Sequence, residues 1–442
     1  MKKLRNSFIL GLLCIFSLTL LFPLTAASDA QAAQALNEPV FKYTKVEPFS
    51  GGLAKVAVGD YNSLKWGYID KEGAVVVPLK YDYLGDFKEG LAPVGIGKSP
   101  NFKTGYVNAK GKEVIPLKYY DAGNFSEGLA SVRTGKYPDG KMGYINTAGK
   151  LVIQPKYFYA WEFKNGLANV ELNDKKGYIN KAGKEVIPLK YDELGDFVDG
   201  LAYASINWTY QYIDTKGKAV TPLKYPNLGP SSEGMAAFAV GKFPNLRWGY
   251  TNSKGVEVIP AKYAQAEEFH NGLAMVSGSS SIPTSGWGYI NPAGEEVIPL
   301  QYASVKNFTE NLAAVCRNRA WGYIDTSGTE VVPSIYDGAY QFSEGLASVF
   351  VVHFYDNGLF ERKWGFVNTV GEEVIPLKYQ FAGTFSGGMA VVSLNGKSGY
   401  VDSSGKEVVP IKYDEAWDFH EGIAWVRLND KWGFIKAPDT VK

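Results

Sequence analysis

Trp66-Gly67-Tyr68-Ile69-Asp70-Lys71-Glu72-Gly73, running on through Val75-Val76-Val77-Pro78-Leu79-Lys80-Tyr81, holds two short β-branched and aromatic runs separated by an Asp, two residues and a Gly. Such runs are strand formers, and Asx at the first turn position with Gly at the fourth is a type I turn signature, so the stretch predicts a tight hairpin. The stretch returns with a Gly, or once a Gln, at 67, 105, 143, 177, 211, 249, 288, 322, 365, 399 and 433, which makes eleven units. From each of the first ten of these positions a Tyr follows 14 residues later, and from each Tyr, Tyr43 included, an aromatic position follows after 6 more. Phe fills that position in ten of eleven cases, Ser231 being the exception, and three residues on lies the Gly of Gly-Leu-Ala.

All length variation falls between Gly-Leu-Ala and the next Trp-Gly. The shortest unit is 34 residues. A segment that absorbs insertions while its flanks keep their length is a surface loop, and the constant stretch is the packed part. Leu-Ala-x-Val, as in Leu129-Ala130-Ser131-Val132, supplies a third strand, and the Pro of Val-Ile-Pro ends the second because it has no backbone donor. The fold class expected is therefore all-β, in tandem three-stranded repeats. Their stacking is an open β-solenoid or hairpin superhelix, or alternatively a closed propeller-like ring. The unit count favours the open stack, since propellers ordinarily have roughly four to eight blades. The last unit, however, lacks a Glu-Val-Ile-Pro strand after Ile435, and Glu38-Pro39-Val40-Phe41 ahead of Tyr43 is a segment able to supply one, as in rings closed by strand exchange.

Trp-Gly-Tyr-Ile-Asp, Glu-Val-Ile-Pro, Lys-Tyr-Asp and Phe-x-x-Gly-Leu-Ala together resemble the WG-containing repeat family, also called KWG repeats, over residues 38 to 436. The resemblance implies a secreted or surface β-repeat architecture and says little about a ligand. The pattern departs from the family around residues 203–232, where Tyr210-Gln211 replaces Trp-Gly and Ser231 replaces Phe.

Residues 1–35 read as a secretory signal peptide: Lys2, Lys3 and Arg5 precede an apolar run from Phe8 to Leu24, and small residues end in Ala33-Gln34-Ala35. Residues 36–436 form the repeat domain and 437–442 a tail. Cys14, inside the apolar run, has Leu13 before it instead of the small residue a lipid-anchor site wants. The expected location is extracellular or cell-surface, with no stable membrane span after cleavage. Charges nearly cancel, with 46 Lys plus Arg against 45 Asp plus Glu, so a nucleic-acid partner is not expected. Hydrophobic residues make up 45%, enough to bury a large core and exclude disorder.

No residue pattern carries catalytic or metal chemistry. His270 and His420 occupy one repeat slot, which reads as a tolerant turn, and no cysteine cluster accompanies them or His353. Cys316 sits in a strand and reads as a packed thiol. The carboxylates ahead of Gly-Leu-Ala (Glu89, Glu127, Asp199, Glu344, Glu421) and the Asp-Phe pairs (Asp86, Asp196, Asp418) recur too regularly for one asymmetric acid pair, and read as turn and surface groups. No metal or cofactor is expected. The Trp and Tyr of the repeat read as core residues, with sugar-stacking platforms as the alternative. Aromatics on the variable loops are the candidate ligand contacts: Phe102, Tyr137, Phe243 and, on the longest loop, His353, Phe354, Tyr355 and Phe360. Anchoring of those loops is the alternative. Together these features point to a non-enzymatic binding protein for cell-wall polysaccharide or a surface protein. A carbohydrate-active enzyme on a propeller-like scaffold, or a purely structural repeat protein, are the other readings.

Overall fold

A computed structural model describes residues 41–99, 101–222, 224–278 and 286–438. The expected signal peptide lies outside these residues, as does most of the tail. Among the described residues every regular element is a strand, and the strands form eleven antiparallel sheets.

The second sheet shows the plan. Its strands, in spatial order, are Tyr83–Leu84, Leu91–Ile96, Lys103–Asn108 and Glu113–Tyr119, hereafter the short, Leu-Ala, Trp-Gly and Pro strands. Nine sheets carry all four, against the three strands expected per unit. The addition is the short strand directly after the repeat Tyr, mostly two residues long. The Asx turn forms as the sequence predicts: Asp70 Oδ1 accepts from the amides of Glu72 at 3.1 Å and Ala74 at 2.8 Å, and Gly73 has φ +82°. A second tight turn joins the short and Leu-Ala strands. At Glu89-Gly90 both residues have positive φ (52° and 78°) and Lys88 exchanges backbone hydrogen bonds with Leu91, the geometry of a two-residue type I′ hairpin.

The Pro does not end its strand. Val75–Tyr81 continues through Pro78 to pair Tyr81 with Trp66. This is the edge strand of its sheet, so the missing donor interrupts no second ladder, and proline there discourages pairing with another sheet.

The Gly of Trp-Gly has a measurable reason. A Cβ at Gly67 would lie 2.4 Å from the carbonyl oxygen of Val77, and the same contact recurs at 2.4 Å for Gly105, Gly143, Gly249, Gly288 and Gly365. Only a residue without a side chain lets the bulged Pro strand come this close. The exception tests the rule. Where Gln211 stands in place of Gly, the sheet has three strands, and the following segment forms no fourth strand: it meets the sheet at isolated bridges, Tyr210–Tyr225 and Ile213–Ala219, and through the Val220 amide, which donates to the Tyr212 carbonyl at 2.8 Å. Thr221 partly compensates, its hydroxyl accepting from the Tyr212 amide at 2.8 Å.

Successive sheets pack face to face. Tyr106, Ile115 and Tyr119 of the second sheet share a core with Phe125, Ala130 and Val132 of the third. At nine junctions the Tyr that directly follows Trp-Gly donates its hydroxyl to a carbonyl of the next unit, as Tyr106 does to Gly123 at 2.7 Å. The Phe of the next unit lies against the ring at that position, a Tyr in eight pairs and Phe366 in a ninth, with centroids 4.8–5.0 Å apart. Where Ser231 replaces Phe, Phe238 instead packs on Tyr225 at 4.9 Å.

Of the two arrangements the sequence leaves open, the structure is the closed ring. The eleventh sheet ends at Lys431–Lys436 with no Pro strand of its own. Tyr43 takes that place, exchanging backbone hydrogen bonds with Trp432 at 3.3 and 3.0 Å in the position Tyr81 holds opposite Trp66. Phe49 meets Phe434 at 5.2 Å, the same Phe contact as at the other junctions, and Ile423 shares a core with Val56 and Ile69. Eleven units close because the two chain ends complete one sheet between them.

Candidate ligand-binding clefts

The repeat Tyr and Trp side chains are largely used by the core. Tyr106, Tyr144 and Tyr323 are fully buried, and the Trp side chains of Trp-Gly range from half-buried to buried. Burial raises the pKa of these tyrosines well above the ordinary phenol value. They are not platforms for a ligand.

Exposed aromatics collect elsewhere, on the short-strand edge. Two residues after the repeat Tyr stand Tyr83, Tyr159 and Phe381; four residues after it stand Trp161, Tyr340 and Trp417. All six are more than a third exposed, Trp161 at 44% and Trp417 at 53%. Each keeps part of its surface outside the core, although Tyr340 and Phe381 lean on the buried Trp364 with centroids 5.3 and 5.6 Å away. Trp161 owes its position to the fold beneath it, since its carbonyl accepts from the buried Tyr144 hydroxyl at 2.7 Å and its amide donates to the Asn169 carbonyl at 3.1 Å.

Trp161 stands between two adjoining cavities of about 390 and 490 Å³, whose walls share Trp161, Asn169 and Asp196. The first opens between the third and fourth sheets and adds Asp121, Tyr159, Glu162 and Lys164. The second follows toward the fifth and sixth sheets and adds Lys176, Glu193 and Tyr203. Lys164 pairs with Asp196 at 2.5 Å, and Lys176 with Glu193 at 2.6 Å. A third cavity of about 450 Å³ sits on the same edge between the tenth and eleventh sheets, lined by Phe381, Trp417 and Asp418. Trp417 lies nearly parallel to Trp425 with centroids 6.0 Å apart, and His420 stacks on the same Trp425 at 5.7 Å. Desolvation raises the pKa of the Asp418 carboxyl, against the lowering influence of nearby His420.

The loop aromatics are distributed differently from the expectation of one recognition surface. Phe102 is a partly buried anchor: its ring covers Gly95, where a Cβ would lie 2.3 Å from it. Tyr137 does not line the first cleft but stands behind its wall residue Tyr159. It hydrogen-bonds Tyr159, raising that phenol's pKa, and its ring lies 5.7 Å from the Arg133 guanidinium, which also faces Phe158 and Tyr159. Phe243 is 88% exposed and makes no ring contact among the described residues. His353, Phe354, Tyr355 and Phe360 stand together at the tip of a hairpin, Leu346–Phe354 with Phe360–Asn368. There Phe354 faces Phe360 at 6.2 Å and His353 meets Tyr355 at 4.8 Å. Reading the sequence by its loops passes over Tyr159, Trp161 and Trp417. The signal that could have found them lies inside the constant-length stretch: the positions two and four after the repeat Tyr change character from unit to unit, which a packed repeat position does not.

Carboxylates ahead of Gly-Leu-Ala are more than turn groups. Glu89 accepts from the Gly128 amide at 2.9 Å, Glu127 from Gly166 at 2.9 Å, and Glu344 from Gly387 and Gly388 at 2.7 and 2.8 Å, each reaching into the next unit. At the seam Glu421 accepts from Gly51 and Gly52 at 2.7 and 3.0 Å and pairs with Lys71 at 3.1 Å. The lysine and the two amides hold its pKa below the ordinary carboxylate value. Asn is the more usual residue for positive φ; Glu, Asp or Asn fills most of these turn positions, and where Glu or Asp is present its carboxylate reaches the next turn. Cys316 is buried, and burial raises its thiol pKa. Among the described residues no group of three or more His, Cys, Asp or Glu is placed to hold a metal ion.

A closed ring of face-to-face antiparallel sheets with aromatic clefts between them defines a propeller-like repeat protein. The WG containing repeat family matches in ten tandem stretches, 66–98, 105–137, 142–175, 177–207, 212–242, 248–277, 287–319, 321–351, 364–397 and 399–432, and the chain belongs to that family. Solved structures with some likeness include Kluyveromyces lactis Hsv2, at 9% identity and TM-score 0.26, covering 55% of this chain and 96% of that one. Another is prolyl oligopeptidase B of Galerina marginata, at 8% identity and TM-score 0.32, covering 79% of this chain and 59% of that one. The tricorn protease, at 11% identity and TM-score 0.24, covers 89% of this chain and 51% of that one. No curated protein sequence matches the chain.

Proposed function

We propose that this protein is a secreted or surface-associated, non-enzymatic binding protein whose ligand is an extended cell-wall glycan. The observation that carries this reading is the pair of adjoining clefts joined at Trp161, with Tyr159 exposed beside it. A flat indole face beside polar groups is the surface on which sugar rings stack, and two consecutive cavities suit a polymer better than a single small molecule. The near balance of charge in the whole chain is also compatible with a glycan, whereas phosphate polymers call for clustered Lys and Arg. A surface protein as partner rests on the exposed hairpin tip at Phe354, Tyr355 and Phe360, and is the second reading.

Co-sedimentation of residues 36–442 with purified cell-wall material tests the two together. Trp161→Ala is expected to weaken saturable binding at least about tenfold, the scale of losing an aromatic anchor. The combined Phe354→Ala, Tyr355→Ala, Phe360→Ala variant is expected to bind as the parent does. The reverse result places recognition on the hairpin, and no binding by folded protein removes the glycan reading.

A further inference from the structure

We propose that the clefts select glycans carrying free amino groups, with the ammonium held between the face of Trp161 and the carboxylates of Glu162 and Asp121; this rests on the glycan reading above and names its chemical class.

The first cleft is lined by three carboxylates, Asp121, Glu162 and Asp196, and one ammonium, Lys164. Lys164 is engaged with Asp196 at 2.5 Å. Among the described residues Asp121 and Glu162 make no ion pair, and Asp121 accepts only from the neighbouring Ala122 amide at 2.9 Å. Asn169, about nine-tenths buried in the wall common to both cavities, gives its Nδ2 to the Leu194 carbonyl at 2.9 Å and leaves Oδ1 without a partner. What the wall leaves unpaired is therefore acceptors. Their natural complement is a donor-only group such as an ammonium.

The arrangement recurs far around the ring. Trp161-Glu162 and Trp417-Asp418 occupy the same two positions after the repeat Tyr, and each dipeptide lines its own cavity. Asp418 has no hydrogen-bond or ion-pair partner among the described residues, although Glu415 in the same wall pairs with Arg427. An indole face adjoining an unpaired carboxylate attracts a cation by both ring quadrupole and charge. A neutral sugar needs only the ring. An anionic sugar is repelled by the acid.

The test uses two β-1,4-linked oligomers of equal length, one of glucosamine and one of N-acetylglucosamine, titrated into residues 36–442 near pH 6. The amino oligomer is expected to bind about tenfold tighter, the scale of a cation over an aromatic face with a charge beside it. Added salt is expected to shrink that margin. Asp121→Asn with Glu162→Gln is expected to bring the two oligomers to the same affinity; both side chains are exposed, and an unchanged melting temperature checks the fold. Equal binding of the two oligomers by the parent overturns the proposal and leaves the glycan reading standing. So does a preference that survives in the double variant. Failure of both oligomers to bind overturns the two together.

Discussion

Gly249→Ala is the sharpest single perturbation of the fold. The added Cβ would lie 2.4 Å from the Ile259 oxygen, 2.7 Å from the Ala261 nitrogen and 2.8 Å from the Pro260 carbonyl carbon. All three are backbone atoms, so no side chain can swing aside, and ordinary contact begins near 3.4 Å. Glu257–Tyr263 must retreat by roughly 1 Å, at an overpacking cost of about 1–3 kcal/mol. Retreat also strains the pairings of Trp248 with Tyr263, Tyr250 with Ile259 and Thr251 with Glu257. At about 1 kcal/mol for each hydrogen bond lost, two losses bring the total to about 3–5 kcal/mol. Amide hydrogen exchange is the right assay, because a sheet in a repeat array opens locally. Peptides covering 257–263 are expected to lose protection by about a hundredfold or more, with distant sheets unchanged. The reciprocal change, Gln211→Gly, is expected to raise protection across 217–225. Parent-like protection at 257–263 in Gly249→Ala would refute the argument that close approach is what requires glycine.

Three further outcomes follow from the junctions. A chain starting at Thr44 loses the main-chain bonds of Lys42 and Tyr43 to Trp432 and is expected to be larger in small-angle scattering, or to dimerise through the uncovered strand; an unchanged radius would mean the seam does not hold the ring. Glu421 has a lowered folded pKa, so its stabilisation is full above the ordinary carboxylate value and fades as pH falls through the lower folded one. Glu421→Gln is therefore expected to melt lower than the parent at neutral pH and to converge with it in acid, and a gap that persists in acid would contradict the linkage. Tyr144→Phe leaves the Trp161 carbonyl short of a donor and is expected to cost about 1 kcal/mol, measured by urea unfolding. Phe366 and Phe434 already occupy the equivalent position, so a collapse of the fold would be unexpected.

The strands, the Asx turns and the unit boundaries were legible because each rests on local chemistry repeated many times. Ring against open stack was not, since closure depends on one contact between Tyr43 and Trp432, and a segment able to donate a strand does not reveal whether it does. Blade-number precedent argued against the ring, yet the spacing of Tyr43 from Phe49 already matched every other unit. Pro78 was misread because its effect depends on whether its strand lies inside a sheet or at its edge, which only the strand order reveals. Similarly Glu89 and its counterparts carry their meaning in the next unit, about 39 residues away. Of the loop aromatics, Tyr137 comes nearest the clefts, through its contact with the wall residue Tyr159. Trp161 and Trp417 were hidden because they sit inside the constant-length stretch, with no insertion to mark them.

The seam between Tyr43 and Trp432 repeats the contacts of the other junctions: a Tyr opposite the Trp-Gly strand, a Phe on the neighbouring ring, and a carboxylate on the next turn. It differs from them chiefly in lacking a covalent link. The starting point of the chain is thus nearly arbitrary with respect to the ring, and a circular permutant cut at another variable loop, with residues 41 and 437 joined by a short linker, should preserve the clefts while moving the junction without a covalent link to a position of choice.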